Sequence, residues 1–249
     1  MKTQNKLISC IIPTYNEEKT IVGVVKVCLK VPQIKEIIIV NDGSRDQTLK
    51  KLKSFKNKIK IINLSKNHGK GYAIAQGIKA AHYNHLVFID ADLINIQPHH
   101  LLSLFQPVLN NQVDMTIAVA TSFYNPYYYS WPLSGQRCLK KDPLIKSIKK
   151  IEKSGYGLET LLNEKLKKKR IAVIPWFSSK PLHLKKIYKQ KDWMKTYVKE
   201  TFQVFRQTIA NQKSSYRKKI EIKFIHNLAS YFKVNYQRLK DYLLEDFEE

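Results

Sequence analysis

Four short apolar runs recur in the first hundred residues, and each stops at a cluster of polar side chains. Leu7 to Ile12, Glu36 to Val40, Ile59 to Leu64 and His85 to Ile89 have the length and composition of strands. Runs this apolar are expected where a strand is covered on both faces. Between them the period changes. Ile21, Val24, Val25, Cys28 and Leu29 recur at helical spacing, and Ala73, Ala75, Gly77, Ala80 and Ala81 form a small-residue helix suited to close packing. Strand and helix in alternation predict an α/β domain with a mostly parallel sheet flanked by helices. Ligands of such sheets gather beyond the carboxyl ends of the strands. The clusters Thr14–Glu17, Asn41–Ser44 and Asp90–Asp92 all fall there.

The last of these is the most pointed. His85-Leu86-Val87-Phe88-Ile89-Asp90-Ala91-Asp92-Leu93 is an apolar run closed by two carboxylates two residues apart. Residues at that spacing on a strand share a side, and two converging oxygens suit Mg²⁺ or Mn²⁺, which also bind phosphate. A lone D-x-D serves equally as a polar turn; its company at the other strand ends is what marks it as a site.

Helix starts are expected at Thr14 or Asn16, with Glu17 and Glu18 in the first turn, and at Ser44 or Asp46. Further on, Pro98 to Leu109 reads as a helix that Pro107 should end or kink. Val113 to Phe123 reads as a strand. An aromatic loop extends from there to Pro132, then come Ser134-Gly135-Gln136-Arg137 and Gly155-Tyr156-Gly157-Leu158-Glu159, the second a tight turn opening a helix. A last strand, Ile171 to Ile174, is closed by Pro175.

At 249 residues the chain suits one large domain or a domain with an appendage. Residues 1–180 carry the α/β pattern, and residues 181–249 read as a basic, amphipathic helical extension. The net charge is +24, and Lys180 to Lys240 holds 16 Lys and Arg against three acids. Such a field favours nucleic acid, an anionic membrane surface or phosphorylated substrates. The faces marked by Trp193, Tyr197, Phe202, Phe205 and Ile209, and by Ile222, Ile225, Leu228 and Phe232, fit either a membrane surface or packing within a helical subdomain. Cys10, Cys28 and Cys138 show neither disulfide nor metal spacing, so a reducing, cytoplasmic setting is expected. The apolar stretch near Met1 is short for a leader, and no run is long enough to span a membrane.

Four motifs carry a family likeness. Ile11-Ile12-Pro13-Thr14-Tyr15-Asn16-Glu17-Glu18, Val40-Asn41-Asp42-Gly43-Ser44, Asn67-His68-Gly69-Lys70-Gly71-Tyr72-Ala73 and Asp90-Ala91-Asp92 resemble, in order and spacing, those of family 2 glycosyltransferases with the Rossmann-like GT-A fold. Ser134–Arg137 and Gly155–Glu159 look like elements of the polyprenyl-phosphate sugar transferases and glucosyl-phosphoglycerate synthase relatives. The resemblance implies a nucleotide-sugar donor (a UDP-sugar or GDP-mannose), a divalent metal and a sugar acceptor. It would place Pro13, Tyr15 and Glu17 in the nucleoside pocket, Asp42 on base or ribose, and Gly69 and Lys70 by the phosphates. Asp92 would bind the metal directly, Asp90 would hold ribose or a metal-bound water, and His183 would add a metal or diphosphate contact.

Inverting relatives use a carboxylate to deprotonate an acceptor hydroxyl. Glu159 is the candidate, although the same residue would also cap its helix. A phosphate acceptor needs no base, and Arg137 would then clamp it. The expected activity is sugar transfer to a lipid-linked or phosphate-bearing acceptor, peripheral to the inner membrane face. A basic nucleic-acid-binding protein is the alternative from another class, though nucleic acid does not require the ordered site motifs. A sugar-nucleotide pyrophosphorylase is a weaker alternative, because a Gly-rich, Arg-containing loop is missing after the first strand.

Overall fold

The computed structural model describes residues 6–121, 134–166, 168–177 and 182, all within one compact unit, Met1–Leu184. A seven-stranded sheet in the order β3-β2-β1-β4-β6-β5-β7 forms its centre. The strands are β1 (Ile8–Thr14), β2 (Ile34–Asp42), β3 (Lys60–Leu64), β4 (His85–Phe88), β5 (Met115–Thr121), β6 (Arg137–Lys140) and β7 (Ile171–Phe177). All neighbours pair in parallel except β6, which runs antiparallel to both β4 and β5. This is the expected mostly parallel α/β sheet. The expected helical extension over residues 181–249 lies outside the described residues, Leu182 apart.

Two apolar layers cover the sheet, and strand alternation decides which residue enters which. Ile8, Cys10, Ile12, Ile37, Ile39 and Val87 face one layer, with α1 (Ile21–Leu29) and α4 (Pro98–Leu109) above them. Ile11, Ile38, Val40, Leu86 and Phe88 face the other, under α3 (Lys70–Ala80), α6 (Ile148–Glu152) and α7 (Leu158–Leu166). The short helices α2 (Thr48–Leu52) and α5 (Asp142–Ile145) complete the set. Complete burial of an isoleucine or valine contributes about 1.5–3 kcal/mol, so the central strands are the main store of stability. The three cysteines are buried free thiols. No described helix is long and apolar enough to cross a membrane.

The small residues of α3 have the expected effect. A methyl group at Gly77 would lie 2.3 Å from Ile11 Cγ2, so the helix can rest on β1 only because that side chain is absent.

Several boundaries move, for local reasons. Helix α1 begins at Ile21 after Thr20, not at Thr14 or Asn16. The intervening amides are engaged across to the β2–α2 loop: Asn16 N donates to Ser44 Oγ, Glu17 N to Thr48 Oγ1 and Glu18 N to Asp46 Oδ2. Asn16 itself sits at φ 56°. Helix α2 has Gln47, not Ser44 or Asp46, at its N-cap position, although Asp46 Oδ1 accepts from Thr48 N at 2.9 Å. Pro107 falls in the last turn of α4, which runs on to Leu109. Strand β7 continues through Pro175 because, among the described residues, it pairs only with β5 and stands at the edge of the sheet, where a proline is tolerated. Strand β6 is an addition that the apolar pattern does not announce.

Candidate active site

The carboxyl ends of β1, β2 and β3 form a pocket of about 300 Å³, lined by Tyr15, Asn41, Ser44, Arg45, Asn63 and Lys66 among others. Tyr15 is 41% exposed, an aromatic face open to a ligand. Pro13 lies inside β1 opposite Val40, and Pro13, Glu17 and Asp42 do not line the pocket. The Glu17 carboxylate instead accepts from the Thr20 hydroxyl at 2.8 Å.

Asp42 departs most from its expected role. It is buried, and its two oxygens accept the backbone amides of His68 and Gly69, each at 2.8 Å. A carboxylate receiving two backbone N–H groups is an anchor. It fixes the turn that holds Gly69 at φ 91°, where a side chain would be strained. The same loop presents Ser65, Lys66 and Asn67 to the pocket and then starts α3 with Lys70.

Lys70 is the hub of a second cluster. Its ammonium lies 2.8 Å from Asp90 Oδ1 and 2.8 Å from Glu159 Oε1. Burial alone would pull its pKa down, but the two carboxylates outweigh that and hold it above the usual lysine range. Lys70 is therefore a permanent cation between two acids. Asp90 Oδ2 accepts from Gln136 Nε2 at 2.7 Å. Glu159 is nearly buried in the first turn of α7, where the helix dipole favours an anion. As expected, Gly155–Gly157 is a tight 3-10 turn leading straight into that helix.

Close approach of backbones makes the cluster possible. A methyl group at Gly71 would sit 2.4 Å from Ser154 Oγ and 2.5 Å from Ile151 O, so the start of α3 lies directly on the turn that delivers Glu159. A methyl at Gly135 would meet both Asp90 oxygens at 2.5–2.6 Å and Lys70 Nζ at 2.6 Å. Gly135 and Gln136 belong to the Ser134–Arg137 motif without an individual role in the sequence; the structure places them against Asp90. Asn41 and Ser44 come from the polar cluster expected at the end of β2, whereas Asn63, Arg45 and Lys66 are pocket residues that the sequence reading misses. A signal for Asn63 is present, a polar residue interrupting the apolar run Ile61-Ile62-Asn63-Leu64.

Arg137 does not stand at an open face. It is 1% exposed, with Nε donating to Ser134 O at 2.8 Å and Nη1 to Asn163 Oδ1 at 2.6 Å. Burial pushes its pKa down to about 10, against the pull of Glu159 and Asp90. A guanidinium so enclosed supports the site from behind, which corrects the expected clamp on an acceptor phosphate.

The carboxylates Asp90 and Asp92 lie in the turn after β4, Asp90 two residues past its last paired position. Among the described residues no set of three or more His, Cys, Asp or Glu gathers to hold a metal. Two carboxylates nonetheless suit a hard cation that completes its shell with phosphate oxygens and water. Asp90 shares its oxygens with Lys70 and Gln136. The backbone of Leu182 accepts from Ile94 N at 2.7 Å, bringing the chain back beside this turn. His183 lies outside the described residues.

Comparison with known proteins gives the family and agrees with the fold. Residues 9–166 match the family model for glycosyl transferase family 2. An uncharacterised glycosyltransferase of Synechocystis sp. is 43% identical over 93 residues, 34% of this chain and 29% of that protein. The poly-beta-1,6-N-acetyl-D-glucosamine synthase of Staphylococcus aureus is 36% identical over 104 residues, 40% of this chain and 25% of the synthase. The matches thus span under a third of these relatives' lengths. Glucosyl-3-phosphoglycerate synthase of Mycobacterium tuberculosis, solved with Mn²⁺, UDP-glucose and phosphoglyceric acid, superposes with a TM-score of 0.65. It is 20% identical, covering 82% of this chain and 79% of that one, and shares the fold.

Proposed function

The chain belongs to glycosyl transferase family 2, and from that premise we propose that it moves a hexosyl group from a nucleoside diphosphate sugar to a phosphate-bearing acceptor. The observation that carries this reading is the position of Lys70. One loop lines the nucleotide-sized pocket with Ser65, Lys66 and Asn67 and, three residues later, delivers an ammonium to the Asp90–Glu159 pair.

A nucleoside diphosphate leaves readily only when its growing charge is met. In this reading the nucleoside lies in the pocket beside Tyr15, and the diphosphate reaches Lys70. Asp92, with Asp90 beside it, would hold Mg²⁺ or Mn²⁺, which would supply further neutralisation of the leaving diphosphate. Glu159 takes the proton from an acceptor hydroxyl; where the acceptor atom is already an ionised phosphate oxygen, its part is to hold Lys70 in place. Arg137 and Gln136 fix the carboxylates from behind. The solved relative with phosphoglyceric acid supports a phosphate-bearing acceptor. The net charge of +24 supports the same choice and extends it to phosphate displayed on a lipid at the inner membrane face.

The test is nucleoside diphosphate release from UDP-sugars and GDP-mannose, with Mg²⁺ or Mn²⁺ and with or without phosphate-bearing acceptors. Release is expected with at least one donor, accelerated by the right acceptor and reduced about 100-fold or more in Asp92→Ala. Full activity of Asp92→Ala would sink the assignment of that residue. Failure of any nucleotide sugar to bind the metal-loaded protein would sink the whole reading.

A further inference from the structure

The pocket at the ends of β1, β2 and β3 contains a directed chain of hydrogen bonds that ends on Asn63. The direction is fixed at its source. The backbone N–H of Asn16 can only donate, and it donates to Ser44 Oγ at 2.9 Å. Ser44 then turns its own proton to Asn41 Oδ1. This leaves the Asn41 amide nitrogen to donate to Asn63 Oδ1 at 2.7 Å. Every acceptor oxygen of the Asn41–Asn63 pair is thereby engaged. The Asn63 amide nitrogen, with two protons, has no partner among the described residues, and Asn63 is an exposed lining residue. Two cationic donors stand nearby: the Arg45 guanidinium and the Lys66 ammonium line the same pocket without an ion pair among the described residues.

The Asn63 amide, held with its donor outward, selects a ligand edge that presents an acceptor to it. Uracil, thymine and guanine present a ring keto oxygen where cytosine and adenine present an amino group. Against the Asn63 amide a keto oxygen is paired, whereas an amino group leaves two donors facing each other, both unsatisfied. We infer that Asn63, oriented by the Asn16–Ser44–Asn41 chain, is the specificity residue that restricts the donor to bases with a keto oxygen at the position of uracil O4 or guanine O6, where cytosine and adenine carry an amino group. This inference rests on the nucleotide-sugar reading above.

Isothermal titration of the Mn²⁺-loaded protein with UDP, GDP, CDP and ADP tests it. UDP or GDP is expected to bind about tenfold or more tightly than CDP and ADP. The stronger of the two keto ligands identifies uracil or guanine as the base. Asn63→Asp keeps the size of the side chain and the bond from Asn41 but exchanges the donor for an acceptor. It should shift the CDP-to-UDP and ADP-to-GDP affinity ratios by about tenfold or more toward the amino-bearing bases. Using ratios cancels any general loss caused by the new negative charge. Ser44→Ala releases Asn41 and should narrow the discrimination with little change in melting temperature. Equal binding of all four nucleotides, or ratios unmoved by both variants, overturns the role of Asn63 and leaves the enzyme assignment standing. Binding of none of the four overturns both.

Discussion

The two ends of the sheet each hold a carboxylate beside a basic partner, and the environments differ. At the amino ends, Glu36 of β2 accepts from the Ser9 hydroxyl at 2.5 Å and from the His82 backbone at 2.9 Å, and faces the His82 ring at 2.6 Å. The His82 side chain is 76% exposed. At the carboxyl ends, one ammonium is enclosed between Asp90 and Glu159, with Arg137 buried behind them. Glu36 is satisfied mainly by neutral donors, and its partner remains in water. That arrangement serves stability. Enclosing charges carries a desolvation penalty that stability alone does not require, which supports the transfer role proposed for the opposite cluster.

The largest expected effect belongs to the enclosed cluster. Lys70→Met removes the cation and leaves Asp90 and Glu159 without it; kcat for sugar transfer should fall about 100- to 1000-fold. Glu36→Gln, measured in parallel, should leave kcat within twofold of the parent. A comparable loss in both variants would erase the distinction between the two ends.

Gly135→Ala comes next. Its methyl group has nowhere to go but into the Asp90–Lys70 pair, so the variant should lose about 1–3 kcal/mol of stability and at least tenfold in kcat. The control is Gly23→Ala in α1, where nothing lies within 4 Å of the added methyl. Helix propensity there predicts a gain of up to about 1 kcal/mol. Thermal unfolding of the two alanine variants separates crowding at the site from a general intolerance of glycine replacement.

The smallest effect is a pH dependence at the amino end. Burial raises the Glu36 pKa, but bonds from Ser9 and His82 outweigh it and leave it below the usual carboxylate value. A carboxylate with a depressed folded pKa contributes stability above its unfolded pKa and loses it as pH falls through the folded one. The parent should therefore lose more stability than Glu36→Gln on acidification from neutrality to about pH 3. At neutral pH the substitution should cost about 1–2 kcal/mol. Parallel acid titrations would contradict the contribution of Glu36.

Much of the donor side is legible in the sequence because its signals are local. Strand ends fall at polar clusters, the buried face of α1 repeats at helical spacing, and the Gly155–Gly157 turn precedes its helix as the two glycines suggest. The transfer side is hidden because it is assembled from distant segments. Asp90 meets Gln136, 46 residues away, and no periodicity announces such a meeting. Asp42 has a part that is hidden for a related reason: its carboxylate holds the His68 and Gly69 amides, 26 and 27 residues away, and nothing near it in the sequence announces that anchor. The burial of Arg137 depends on β6, whose four residues are too few to stand out as a strand.

That reversed strand has a consequence for how strictly the ladder must be held in register. A parallel strand carries to its C-terminal end the residues that follow it, whereas β6 carries to the same end of the sheet the residues that precede it. Phe88 and Ile117 both stand opposite Arg137, so β5 runs out toward the end that holds Asp90 and β6 starts back from it. Because side chains alternate along a strand, a slip of β6 by one residue would turn Arg137 to the opposite face and carry Gln136 away from Asp90.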